Sequence, residues 1–216
     1  SVPMQELLNE AKRLASEGVK ELVLVAQETT LYGKDLTGEK QLPLLLHELC
    51  KIEGIEWIRL LYCYPEEITD ELIKVIKTEE KVCNYIDMPI QHSENRILQR
   101  MGRRTSREDL VAVIKKLRKE IPDITIRTTL ITGFPGESQE DHEECQFDRL
   151  GVFTYSPEED TLAATFEDQI DEEVKEERRD ELMSLQQEIS YEHTQQLVGK
   201  TIKVMVEGYL FEDDIY

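Results

Sequence analysis

Ile124-Thr-Ile-Arg-Thr-Thr-Leu-Ile-Thr-Gly-Phe-Pro-Gly-Glu137 is the stretch on which the fold turns. Its first half alternates β-branched with other residues, which favours a strand. Its second half breaks at Gly133, Pro135 and Gly136, ahead of the helix-opening Ser138-Gln-Glu-Asp141. A strand that runs through a glycine turn into a helix N-terminus predicts free backbone N–H groups at the strand's C-terminal end, where α/β folds bind ligands. The same pattern also serves simply to turn a corner. Arg127 and Glu137 bracket the turn as a charged pair, and a strand-borne arginine is costly to bury without a partner.

Outward from this stretch, strands and helices alternate. A helix carrying Met4, Leu7, Leu8, Ala11, Leu14 and Ala15 stops at Gly18, and Glu21 to Ala26 reads as a buried apolar strand. After a polar loop, Tyr32 to Gly38, come a helix from about Leu42 to Lys51, a strand from Trp57 to Tyr62 and a helix capped at Thr69. A strand Tyr85 to Ile90 follows, then a helix Glu94 to Met101 and another that opens on the capping box Ser106-Arg-Glu-Asp109. Beyond the turn lie a short helix, Ser138 to Cys145, and a strand, Phe147 to Tyr155. A long acidic helix, Asp171 to Leu197, presents the stripe Val174, Leu182, Leu185 and Ile189. After Gly199 the pattern turns to period two, as in the opening hairpin of a β domain.

Five strands with intervening helices predict a parallel sheet, either doubly wound or rolled into a barrel. Polar residues after every strand favour an open, partial TIM-like β/α barrel: Gln27 and Glu28, Tyr64, Gln91 and His92, Glu137, then Ser156 and Glu158. A strand ahead of Ser1 would complete a six-unit set. A histidine placed like His92, beside Asp87 at a strand end, is commonly a hydrogen-bonded structural residue. Arg96, Arg100, Arg103, Arg104 and Arg107 form the basic concentration of the chain. They could anchor a carboxylate or phosphate, or complement a helix C-terminus.

The 216 residues carry 26 Lys and Arg against 46 Asp and Glu, a formal charge of −20. From Glu158 to Tyr216 there are 18 acids and 5 bases. Such a surface repels phosphate backbones, so it disfavours a nucleic-acid partner and suits a basic macromolecule. No apolar run approaches the ~20 residues of a membrane span, and Ser1-Val-Pro-Met4 leads into an amphipathic helix, so no membrane partner and a cytoplasmic location are expected. Cys50, Cys63, Cys83 and Cys145 match no close-spaced metal motif, so the chain is expected to ligate no metal; the four read as buried thiols.

In combination, Ile131-Thr-Gly-Phe-Pro-Gly-Glu137, Asp87-Met-Pro-Ile-Gln-His92, Ile58-Arg-Leu-Leu-Tyr62 and Val25-Ala-Gln-Glu-Thr-Thr30 resemble the methylthiotransferases of the radical S-adenosylmethionine (SAM) superfamily. Leu197-Val-Gly-Lys-Thr-Ile-Lys-Val-Met-Val-Glu-Gly208 resembles the start of that family's TRAM domain. The resemblance divides the chain into a radical SAM barrel over 1–197, lacking its first strand and cluster loop, and the beginning of the TRAM β domain over 198–216. Of the family's two branches, one modifies an adenosine in tRNA. The other, the RimO type, modifies an aspartate of small-subunit ribosomal protein twelve. Gln91-His92 and Tyr155-Ser-Pro-Glu-Glu159 point to the RimO type.

The implied chemistry uses a reduced [4Fe–4S] cluster to cleave SAM, with hydrogen abstraction at the aspartate β-carbon. A second [4Fe–4S] cluster supports sulfur insertion, a further SAM supplies the methyl group, and an electron donor is required. The family's Cys-x3-Cys-x2-Cys motif would lie upstream of Ser1, so this polypeptide alone should not turn over. About a helix's worth of family sequence is also missing beside Cys145. Carried over as SAM-facing are Gln27, Glu28, Asp87, Gln91, His92, Arg127, Thr129, Gly133, Phe134, Pro135 and Gly136, with Tyr155 and Glu158 on the substrate side. The alternative from another class is a non-catalytic acidic α/β module that docks a basic partner.

Overall fold

A computed structural model describes residues 1–138, 147–206 and 208. Apart from Ser138, the predicted helix over 138–145 and the surroundings of Cys145 lie outside the described residues, as does the predicted second strand after Gly208. The elements run α1 (Met4–Ser16), β1 (Glu21–Leu24), α2 (Lys34–Thr37), α3 (Leu42–Cys50), β2 (Trp57–Leu60), α4 (Asp70–Thr78), β3 (Tyr85–Asp87), α5 (Asn95–Arg100), α6 (Arg107–Glu120), β4 (Thr125–Thr132), β5 (Arg149–Thr154) and α7 (Glu172–Gln195). Two helix starts carry side-chain caps. The Thr69 hydroxyl accepts from Leu72 N (3.2 Å) at α4, and Ser106 and Asp109 close a reciprocal capping box at α6. The loop over 32–38 contains one helical turn, α2, bounded by left-handed Gly33 and Gly38.

Every strand pair is parallel. β1 pairs with β2, and β3-β4-β5 form a second group. A bridge between Ile58 and Val82 and the hydrogen bond from Cys63 N to Asp87 O (2.8 Å) join the two groups. Spatial order therefore follows chain order, and each crossover steps the same way, as in a barrel; a doubly wound sheet would reverse direction. Among the described residues β1 and β5 do not pair with each other, so the barrel is open.

The two faces of this curved sheet differ sharply. Ile58, Leu60, Ile86, Met88 and Ile126 point outward and are buried against helices that contribute Leu46, Leu49, Leu72, Ile76, Leu110 and Leu117, and Val152 of β5 is buried on the same face. Each such side chain contributes about 1.5–3 kcal/mol by leaving water. The alternate residues point inward: Arg59, Tyr85, Arg127 and Thr129 are half-buried, while Val23 (46%), Val25 (60%) and Phe153 (63%) are exposed. The expectation of a buried β1 is corrected here, because its second face looks into the open barrel and meets no helix.

Two further expectations change. In α7 the predicted stripe is only partly the buried face: Val174, Leu182 and Ile189 are half-buried, but Leu185 is 50% exposed and the fully buried residues are Lys175, Arg178 and Gln186. The face rotates because these polar groups have partners elsewhere in the chain. After Gly199 the residues 200–206 are exposed and hold no regular structure, since no described strand offers them a ladder. No helix among the described residues is long and apolar enough to cross a membrane.

Candidate functional site

The C-terminal ends of the strands meet at one rim, and the chain leaves three of them through left-handed backbone. Tyr62 (φ 54°), Gln91 (φ 72°) and Gly133 (φ 71°) follow β2, β3 and β4 in turn. Two of the three are not glycine, and such conformations cluster where function over-determines the backbone.

Glu28 ties the first two strand ends together. Its Oε1 accepts from Thr30 N (2.8 Å) and from the Thr30 hydroxyl, and its Oε2 accepts from Tyr64 N (3.0 Å). Burial holds its carboxyl above the usual value, against the pull of those hydrogen bonds. The Thr29 hydroxyl donates to Leu61 O (2.6 Å), closing the same junction. Asp87, 1% exposed, then links β2 to β3 and β4: it accepts from Tyr62 N (3.1 Å) and from Arg127 Nη1 (3.1 Å). The Arg127 side chain remains 42% exposed to the inner face. Gln91 extends the pairing of β4, donating from its N to Thr129 O (2.9 Å) and accepting at its O from Ile131 N (2.8 Å). The structure thus groups Asp87, Gln91, Arg127 and Thr129 around one open surface, with Glu28 structural beside them and Gln27 exposed at the rim.

The glycine turn is built differently from the expectation. Glu137, whose side chain is fully buried, folds back so that Oε2 accepts from Gly133 N (2.9 Å) and Phe134 N (3.3 Å). The N–H groups predicted to be free for a ligand are therefore already engaged. Arg127 and Glu137 are also not a pair: Arg127 bonds Asp87, and Glu137 Oε1 accepts from Arg178 Nη1 (2.9 Å). His92 accepts at Nδ1 from Glu94 N (3.0 Å), which puts its hydrogen on Nε2, 3.4 Å from Glu137 Oε2. Its ring is buried against the turn.

Phe134 and Tyr155 stack edge to face (5.1 Å) in a small apolar cluster with Ile97. Pro135 is buried, and Gly136 is held by Asp168 O (3.0 Å) and Arg96 Nη1 (2.6 Å). Tyr155, expected on the substrate side, is buried, and its hydroxyl has no hydrogen-bond partner among the described residues. Glu158 is exposed in the loop after β5.

The arginine concentration disperses into internal contacts. Arg100 makes a two-pronged bond to Asp168 (2.7 Å each), Arg103 covers the Tyr64 ring and Arg107 bonds Glu94 (2.5 Å). Lys175 and Arg178 were not foreseen. Their three-residue spacing, continued by Leu182, Gln186 and Ile189, was the available signal.

The described residues contain no group of three or more His, Cys, Asp or Glu that could hold a metal ion. Burial pushes the Cys50 thiol up to about 11 and raises Cys63 and Cys83 as well, so none is a ready thiolate ligand. An iron–sulfur cluster therefore does not fit these residues. The inner face itself offers a half-open guanidinium, a hydroxyl and two carboxamides at the strand ends, groups of the kind that hydrogen-bond an amino-acid-bearing nucleoside.

Comparison with known proteins agrees with this architecture. A family model described as "Radical SAM superfamily" matches residues 1–148. A relative from Lachnoclostridium phytofermentans, named "Ribosomal protein uS12 methylthiotransferase RimO", is 60% identical over 223 residues, covering 100% of this chain and 51% of its own. That alignment is longer than the chain, so the relative has residues this chain lacks. A Clostridium perfringens protein of the same name is 55% identical over 95% of this chain and 48% of its own. The chain thus spans about half the length of these relatives. Among solved structures, coproporphyrinogen III oxidase (HemN) from Escherichia coli, titled a radical SAM enzyme, has a TM-score of 0.62 at 17% identity, over 86% of this chain and 46% of its own. The methyltransferase TsrM from Kitasatospora setae has a TM-score of 0.50 at 18% identity, over 64% of this chain and 27% of its own. Parallel strands stacked in chain order, an outward-packed core with an open inner face, and a superfamily match from residue 1 to residue 148 lead to one conclusion: this chain belongs to the radical SAM superfamily.

Proposed function

We propose that the chain is the SAM-binding half-barrel of an enzyme that adds a methylthio group to the β-carbon of an aspartate in ribosomal protein uS12. The observation that carries this reading is 60% identity, across the whole chain, with a relative bearing that name. The same identity favours uS12 over tRNA as substrate, and an enzyme over a non-catalytic module. The charge of −20 is suited to a basic ribosomal protein.

In this reading Arg127 pairs with the SAM carboxylate, and Asp87 behind it keeps the guanidinium aimed at the inner face. Thr129, Gln91 and Gln27 supply further polar contacts along the rim. Bound SAM would supply the adenosyl and methyl groups that the reaction consumes. His92, Phe134, Pro135 and Gly136 shape the turn from within, while Glu158 stands on the substrate side. Iron–sulfur ligands would come from outside the described residues, and an electron donor from outside the chain. Residues 1–197 form the barrel part, and 198–216 open the TRAM domain.

The test uses the full-length protein of which this chain is part. A strain lacking the gene is complemented with wild type, Arg127→Ala or Gln91→Ala, and uS12 and tRNA are examined by mass spectrometry. Methylthiolated uS12 with wild type, lost or much reduced in both variants, is the expected result. Modification of tRNA alone would reject the substrate, and unchanged uS12 modification in both variants would reject the site.

A further inference from the structure

The glycine turn is held from outside the sheet by two buried cations of α7. Lys175 is 2% exposed, and a Cβ on Gly133 would lie only 2.1 Å from its Cγ. Lys175 Nζ donates to Tyr155 O (2.9 Å) at the end of β5 and to Glu172 (2.6 Å), while its own carbonyl accepts from the Thr132 hydroxyl (3.3 Å). Three residues along, Arg178 is 6% exposed and donates to Glu137 Oε1 (2.9 Å) and Glu137 O (3.3 Å). The other oxygen of that carboxylate holds Gly133 N and Phe134 N. A buried carboxylate shared among amides, an imidazole and a guanidinium is strongly charge-assisted, and removing one partner strands the others without water.

Because Glu137 occupies the turn's N–H groups, the turn serves ligand binding through shape. It fixes the end of β4, to which Gln91 is bonded through Ile131 N (2.8 Å). We infer that Arg178 and Lys175 are positioning residues for the cofactor-binding rim, so that SAM affinity depends on the docking of α7, an element that contributes none of the residues proposed to face SAM. The cofactor named here rests on the function proposed above; the bracing of the turn does not.

The experiment compares wild type, Arg178→Met and Arg178→Lys in the full-length protein, using amide hydrogen exchange and calorimetric titration with SAM. Arg178→Met is expected to speed exchange at Gly133 and Phe134 and to weaken SAM binding, each roughly tenfold, with β2 amides unchanged. Arg178→Lys should recover most of both, as a point charge retains one of the two bonds. If Arg178→Met does not fold, Arg178→Lys carries the same test at about threefold amplitude. Unchanged exchange at the turn overturns the inference. So does unchanged SAM affinity with a loosened turn, or equal loss of protection in β2, which marks general destabilisation. A wild type that binds no SAM defeats the proposed function instead, and the exchange comparison still decides the bracing.

Discussion

Replacing Gly133 by alanine tests the packing of the turn. At φ 71° an L side chain is strained, at a cost of about 1–2 kcal/mol. The added methyl would also stand 2.1 Å from Lys175 Cγ and 2.9 Å from its Cδ, so the lysine must move. That side chain cannot swing freely, because it is 2% exposed and its Nζ is fixed by Tyr155 O at 2.9 Å. Overpacking adds about 1–3 kcal/mol, and losing the buried hydrogen bond about 1–3 more. Gly133→Ala should therefore cost about 3–8 kcal/mol in all, a large share of ordinary domain stability. Gly102→Ala is the control: its φ is 74°, but nothing lies within 4 Å of the added carbon, so only the backbone cost applies. Urea unfolding of the two variants should differ by at least about 2 kcal/mol. A Gly133→Ala loss no larger than that of Gly102→Ala would refute the packing argument.

Removing the Ser106 side chain breaks the capping box of α6 and should cost about 1 kcal/mol, a drop of roughly 2–4 °C in the thermal midpoint followed by circular dichroism. Thiol labelling at pH 8 followed by mass spectrometry should find Cys50 roughly a hundredfold slower than free cysteine, because its pKa is pushed up to about 11; labelling at the free-cysteine rate would contradict its burial. Burial raises the Glu28 carboxyl above 4.5, so the folded state holds that proton more tightly than the unfolded state. Its contribution to stability therefore grows as pH falls through the raised value and declines as pH rises. Glu28→Gln should remove this slope, and parallel stability–pH curves for wild type and variant between pH 4.5 and neutrality would count against it.

Much of the fold could be read locally. The strand Thr125–Thr132, the glycine turn and the Ser106 box depend on neighbours in sequence, and each formed where its residue types require. The site was harder, because its decisive contacts are long-range. Arg127 and Glu137 look like partners along the chain, yet cross-strand register gives Arg127 to Asp87, and a helix 41 residues away gives Arg178 to Glu137. A periodicity argument picks Leu185 for the buried face of α7 because it assumes that buried means apolar. Lys175 and Arg178 occupy that face because each finds its counterpart on β5 or the turn. The openness of β1 was likewise invisible, since Val23 and Val25 carry no mark of which face meets a helix.

The left-handed backbone at Tyr62 and Gln91 has a practical consequence for anyone seeking a hardier variant. Both positions hold a conformation that glycine accepts at little cost, and at each the relief is of order 1 kcal/mol. A heat-selection experiment should therefore enrich glycine or asparagine at 62 and 91. The survivors would gain endurance at the very rim where the strands converge, and any ligand affinity they lost would measure what that tension had been maintaining.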